Sequence, residues 1–313
     1  MKAVRLCIAF LLLSCPPAFA QSAADYPARP IRVVVPYAAG GADAYIRPLQ
    51  NALEKNHRIN FVIESVVGAG GVIGASQVKR SASDGYTLLF CGTGAMTIAP
   101  KMSKADYTMA DFDPIINLIS IPYVVAVRKE APYRTFKEFA AYAKANPGKV
   151  TYGSPGVGSA PHLAMEALDL GVTHVPYTGI VPAVTAIVGG HIDAVVGAPN
   201  IVLPQVRSGN LVALGVTSRQ RFALEPELPS LSEQGFDVDV VTSFGFLAPK
   251  GTPRPIIDRL AAAIRQSASD PEFLTAMKTM QNGVVMMSAD EFATKLKAEA
   301  DYFSPVIEKL AKR

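Results

Sequence analysis

Charged residues make up only 18% of this 313-residue chain, and no run of lysines or arginines occurs in it. A nucleic-acid partner would need a basic stripe, so that class is excluded. Histidine is scarce as well. The four, at positions 57, 162, 174 and 191, form no H-x-x-x-H pair and have no cysteine nearby, so no metal site is expected. No apolar run reaches the roughly 20 residues that a membrane-spanning helix needs. Nucleotide and hydrolase signatures are missing too. No Gly-Lys-Ser/Thr occurs, and Gly68-x-Gly70 has Ile73 where a dinucleotide fingerprint has its third glycine. Ser159 stands in Gly156-Val157-Gly158-Ser159-Ala160, which is not a nucleophile elbow. The residues offer no catalytic set and no cofactor.

Cysteine is nearly absent once the N-terminus is considered. Lys2 and Arg5, the apolar run Leu6 to Leu13, and Ala18-Phe19-Ala20 read as a secretory signal peptide over residues 1–20. Leu12-Leu13-Ser14-Cys15 fits a lipoprotein box only loosely, so lipidation at Cys15 is the lesser reading. Cleavage removes Cys7 and Cys15 and leaves Cys91 alone, so no internal disulfide is expected. Cys91 closes the apolar run Thr87-Leu88-Leu89-Phe90 and reads as a buried small hydrophobe. The mature chain keeps 28 basic against 26 acidic residues, a charge near +2.

What is present is an apolar, glycine-rich chain: 50% hydrophobic, with 24 glycines and 24 prolines. That hydrophobic content excludes disorder. Strand-like runs at 31–35, 61–64 and 86–91 alternate with loops and helical stretches at about thirty residues, the spacing of βαβ units. A long β-rich passage, Asp113 to Arg128, is interrupted by Pro122, and a second α/β series follows, with strands at 150–153, 172–175, 192–196 and 211–216. A second β-rich passage, Val238 to Leu247, leads to helices over 255–266 and 271–280 and a terminal helix. Thr135-x-x-Glu138 and Ser288-x-x-Glu291 are capping boxes. The last three helices have no sheet of their own and should pack back on the first. The chain therefore reads as two α/β lobes: residues 21–124 plus 244–313, with 125–243 inserted between two crossing segments.

Several loops between strand and helix are rich in glycine and poor in cations. They are Pro36 to Asp43, Gly68 to Gly74, Gly92 to Ala95, Gly153 to Ser159 and Val175 to Gly179. Glycine lets backbone N–H groups approach a ligand, and a helix N-terminus adds partial positive charge, so such loops can hold an anion without Lys or Arg. Any one of them alone could be a turn only. Loops of two lobes at the carboxyl ends of strands favour a shared cleft.

These residues also carry a resemblance. Tyr26-Pro27-x-Arg29-Pro30-Ile31-Arg32, Val35-Pro36-Tyr37 and Gly40-Gly41-x-Asp43 are followed by Gly68-Ala69-Gly70-Gly71-x-Ile73-Gly74 and Asp84-Gly85-Tyr86-Thr87-Leu88-Leu89. Then come Tyr152-Gly153-Ser154, Pro161-His162-Leu163, His174-Val175-Pro176-Tyr177, Leu214-Gly215-Val216-Thr217-Ser218 and Phe246-Leu247-Ala248-Pro249. The series resembles Bug-type periplasmic solute-binding proteins, receptors of tripartite tricarboxylate transporters, collinearly from about Asp25 onward. The resemblance implies an α/β, two-lobed, type II-like periplasmic binding protein. Each lobe would be a mixed, mostly parallel sheet flanked by helices, and the monomer would close on a small aromatic or dicarboxylic carboxylate. It would deliver that ligand to membrane permease subunits, with no enzyme activity; a signalling partner without transport or a secreted enzyme are the alternatives. It further implies that Tyr37, Ala38, Ala39, Gly40, Gly41 and Asp43 of one lobe face Ser154, Gly156, Val157, Gly158 and Ser159 of the other. Thr93, Tyr177, Thr178 and Phe244 would line the variable part. Three departures stand out: Ala42 where the family usually has Thr, Ser65-Val66-Val67 where it usually has Asn-Arg-Pro, and Pro48 within the first helix. Pro48 calls for a kink or a later helix start.

Overall fold

The computed structural model describes residues 26–37, 39, 40 and 42–312. The leader with Cys7 and Cys15 lies outside the described residues, as do Ala38 and Gly41 of the first glycine loop. Strand β1 (Ile31–Val35) is buried except at Arg32, as a strand covered on both faces requires. A 3-10 turn over Ala42–Tyr45 then precedes helix α1 (Arg47–His57). The helix takes the later start, with Pro48 in its first turn, where the missing N–H has no helical carbonyl to meet. Strand β2 (Phe61–Ser65), α2 (Val72–Lys79) and β3 (Thr87–Gly92) complete a parallel β2–β1–β3 unit. Two short helices, α3 (Gly94–Thr97) and α4 (Ala99–Met102), lead into the eleven-residue β4 (Phe112–Pro122).

At Pro122 and Tyr123 the chain leaves this sheet, and β5 (Val124–Arg128) begins a second one. The second series is α5 (Phe136–Ala145), β6 (Thr151–Ser154), α6 (Ala160–Ala167), β7 (Thr173–Pro176) and α7 (Ile180–Val188), then β8 (Ala194–Gly197), α8 (Pro199–Arg207) and β9 (Leu211–Val216). Strand β10 (Val241–Pro249) returns to the first sheet, followed by α9 (Arg254–Ser267), α10 (Pro271–Thr279), β11 (Gly283–Met287) and α11 (Ala289–Ala311). Both capping boxes form, each with its reciprocal pair of bonds.

The sheets run β11-β4-β10-β3-β1-β2 and β7-β6-β8-β5-β9. Both are mixed. Parallel pairing is confined to β2–β1–β3 and β7–β6–β8, so the expectation of mostly parallel sheets is corrected. The strands next to the crossings, β4, β5 and β10, all pair antiparallel to their neighbours, because the chain enters and leaves each sheet there. The C-terminal segment also differs from expectation. It supplies β11, an edge strand on β4, in addition to its helices. Helices α9 and α10 pack on the first sheet through Ile257, Leu260, Ile264 and Phe273. Helix α11 begins there as well, with Phe292 and Leu296 buried, but ends in the core of the second sheet with Phe303 and Ile307.

Candidate functional site

On the second sheet, β6 ends at Ser154 and α6 begins at Ala160, and the five residues between form a loop braced from inside. Gly156 and Gly158 hold φ of 130° and 77°, which a side chain rarely adopts. The buried Ser154 Oγ lies 2.8 Å from His174 Nε2 and accepts the Gly156 N–H at 3.3 Å. Ser159 Oγ donates back to the Gly156 carbonyl at 2.7 Å, and the Gly158 N–H donates to His162 Nδ1 at 3.1 Å. His162 stacks on His174 with ring centroids 4.0 Å apart. Burial, with the neighbouring His162, pushes the His174 pKa down to about 4, so the ring under the loop is neutral at neutral pH. Because the Ser159 hydroxyl turns into the loop, α6 has no side-chain cap. Its first turn, with Pro161, presents the positive end of the helix dipole.

The first sheet contributes a different kind of wall. The Tyr37 hydroxyl accepts the Gly92 N–H at 3.2 Å, and its burial holds the phenol well above its ordinary pKa. The Tyr37 ring meets Phe244 edge-on at 6.3 Å, and Phe244 meets Tyr45 at 5.1 Å and Phe90 at 6.1 Å. Asp43 is buried, takes two bonds from Arg47 at 2.8 and 3.0 Å through Oδ2, and has no partner for Oδ1. Beneath Gly92 and Gly94, Thr93 is also buried. Nearby lies Glu299 of α11, which accepts from Thr97 Oγ1 at 2.8 Å. Burial raises the Glu299 carboxyl to about 7, against the opposing pull of Thr97, Thr93 and Lys295.

Between the two walls lies a cleft of about 660 Å³. Of the residues expected at the site, Tyr37, Val157, Gly158, Ser159 and Phe244 line it together. Ser154 and Gly156 support the loop from behind, and Thr93 is buried under the floor. Asp43 is turned to Arg47, Ala39 and Gly40 are exposed, and Ala38 and Gly41 lie outside the described residues. Tyr177 sits behind Ser154, donating its N–H to the Ser154 carbonyl at 3.2 Å, and Thr178 is exposed; neither is in the lining. Sequence reasoning missed Gly70, Ile98, Met102, Tyr123 and Thr242, which do line it. Gly70 was visible as part of a glycine loop, and Tyr123 and Thr242 stand at the crossing segments. Ile98 and Met102 follow no pattern. A methyl group built on Gly158 would lie 2.9 Å from Met102 Sδ, so the thioether reaches the opposite wall.

No charged residue lines the cleft among the described residues. Nor do the described residues contain a cluster able to hold a metal ion. Two other depressions, of about 730 and 650 Å³, are lined by mixed charges and include none of the glycine loops. The arrangement provides backbone N–H groups and a helix terminus on one side and aromatic and aliphatic carbon on the other.

Residues 45–311 match the model of the tripartite tricarboxylate transporter family receptor. The chain belongs to that family. This receptor is 35% identical over 298 residues to a UPF0065 protein of Cupriavidus necator, covering 93% of the chain and 90% of the relative. Among solved structures, a ligand-free TctC solute-binding protein from Polaromonas superposes with a TM-score of 0.83 at 31% identity, covering 91% of the receptor and 99% of that chain. The periplasmic binding protein BugD does so at 0.71 and 32%, covering 91% and 98%. MatC of Rhodopseudomonas palustris, solved with bound malate, is 27% identical at a TM-score of 0.71, covering 90% and 100%. An R. palustris protein with adipate is 25% identical at 0.74, covering 91% and 98%. The two-sheet fold with a cleft between helix-flanked layers is thus that of the family's solute-binding proteins.

Proposed function

We propose that this receptor binds a small carboxylate in the cleft between its sheets and delivers it, from the periplasm, to the membrane permease subunits of a tripartite transporter, without chemical turnover. The observation that carries the reading is the pairing of an uncapped α6 N-terminus and glycine loop with an uncharged opposite wall. A carboxylate there gains the helix dipole and charge-assisted bonds to the N–H groups of Val157 and Ala160, since those of Gly156, Gly158 and Ser159 are bonded within the loop. The ligands of the malate- and adipate-bound neighbours support the same ligand class. In this reading Tyr37, Gly156, Val157, Gly158 and Ser159 hold or frame the anion, Phe244 lines the remainder, and Ser154 keeps the loop in shape. The crossings at Tyr123 and before Val241 are the places where one lobe turns on the other.

The test compares two substitutions at Gly158. Its φ of 77° strains any side chain by on the order of 1 kcal/mol. Gly158→Ala and Gly158→Asp share that strain, while only aspartate places a negative charge beside the bound one. Titration calorimetry with a panel of mono- and dicarboxylates should show Gly158→Asp binding at least tenfold more weakly than Gly158→Ala. Equal affinities would move the anion site elsewhere.

A further inference from the structure

We infer that the hydroxyl pair Tyr123–Thr242 is a second polar contact in the cleft, and that the ligand carries, besides its carboxylate, an oxygen that accepts the pair's free proton. The inference rests on the carboxylate reading above and narrows its ligand class. Both side chains line the cleft, one from each crossing segment, and their oxygens bond each other. Two hydroxyls hold two protons, and the mutual bond uses one. Among the described residues the other proton has no acceptor. It stays in place at neutral pH, because burial holds the Tyr123 phenol well above its ordinary pKa against the opposing pull of Thr242. The pair is also fixed from behind. Fully buried Thr217 accepts the Tyr123 N–H through Oγ1 at 3.0 Å and donates that hydroxyl to the Val240 carbonyl at 2.5 Å. Its N–H goes to the Tyr123 carbonyl at 2.9 Å, and the Val240 N–H returns to its own carbonyl at 2.8 Å. These bonds already tie the two segments together, so joining them does not require a hydroxyl pair facing the cleft. The pair and the glycine loop have different neighbours. A methyl group built on Gly92 would lie 3.0 Å from Thr242 Cγ2 and 3.2 Å from Phe244, whereas Gly158 faces Met102. A ligand that covers the free proton without accepting it leaves a desolvated donor, which favours a carboxylate bearing a hydroxyl, carbonyl or second carboxylate on its chain.

The probes are linear acids of four to six carbons, each as the plain acid, the ω-hydroxy acid and the diacid. Titration calorimetry on the full chain should show an oxygen-bearing acid binding about tenfold or more tightly than the plain acid of the same length. Tyr123→Phe combined with Thr242→Val replaces both partners by apolar groups of similar shape, so the melting temperature should hold. In that double variant the oxygen-bearing acid should weaken to the level of the plain acid, whose own affinity stays unchanged. Thr242→Ser keeps a hydroxyl and should keep the wild-type order. Wild-type receptor that binds all three forms equally overturns the inference and leaves the carboxylate reading standing. So does a preference that survives in the double variant. A double variant that weakens the plain and oxygen-bearing acids alike makes the pair a staple of the crossings, which also overturns it. Failure of every acid in the series overturns both readings.

Discussion

The loop after β6, which lines the cleft, and the loop after β1, which reaches it through Tyr37, are built on different principles. The loop after β6 is held from beneath by side chains: Ser154, Ser159, His162 and His174 form a connected set of hydrogen bonds and a ring stack. Among the described residues, the loop after β1 has one comparable brace at each end, the Tyr37 bond to Gly92 and the Asp43–Arg47 pair, with exposed Ala39 and Gly40 between. A polar scaffold that is fully satisfied specifies one backbone shape, and a loop without one takes its shape from whatever packs on it. The α6 side of the cleft is therefore preorganised.

The largest effect expected from this asymmetry is a pair of opposite responses to pH. Glu299, under the first-sheet floor, has its carboxyl raised by burial from 4.5 to about 7, with Lys295 opposing the shift and Asp239 adding to it. A raised carboxyl stabilises the fold fully below pH 4.5, and that contribution is lost as pH rises through about 7. Its size is on the order of 3 kcal/mol. His174, under the second-sheet loop, has its pKa lowered from 6.5 to about 4, so its contribution is present above pH 6.5 and is lost as pH falls towards 4. Urea denaturation between pH 4 and 8 should show Glu299→Gln gaining on the wild type as pH rises. His174→Gln should gain on it as pH falls. Parallel curves for all three proteins would dissolve the distinction.

Next in size is Ser154→Ala. It removes the hub of the second loop and leaves His174 Nε2 and the Gly156 N–H without their partner, at a cost of about 2 kcal/mol. Chemical denaturation should show this loss, and carboxylate affinity should fall with it. A variant that binds normally would mean that the loop does not need its scaffold. The smallest effect belongs to Asp43→Ala. Arg47 is largely exposed and the buried Asp43 Oδ1 is unpartnered, so gain and loss nearly offset, and stability should change by less than about 1 kcal/mol. A loss of several kcal/mol in the same assay would show the first loop to be as firmly braced as the second.

Much of the fold was legible because its signals are local. The capping boxes at Thr135 and Ser288, the branched run of β1 and the break at Pro122 each act within a few residues, and each sits where its chemistry requires. The glycine loops were legible as loops, and the Val157–Ser159 stretch does line the cleft. Its scaffold was not: the Ser154–His174 bond joins two strands, and nothing in the spacing of the four histidines marks two of them as a stacked pair. Ile98 and Met102 were hidden for the same reason, since they reach the cleft through the packing of short helices without periodicity. β11 escaped because an edge strand of five residues between two helices carries little alternation. Tyr177 and Thr178 followed a predicted strand end correctly, but β7 is the edge of its sheet and carries them away from the lining.

Helix α11 places a condition on how the two lobes fold. Phe303 and Ile307 fill the core of the second sheet, and Phe292 and Leu296 fill part of the first. The second core, although encoded by the middle of the chain, stays short of two of its large side chains until α11 is in place. Domain-by-domain folding, the usual economy of a two-lobed protein, is thereby coupled: neither core is complete before one helix has docked across both.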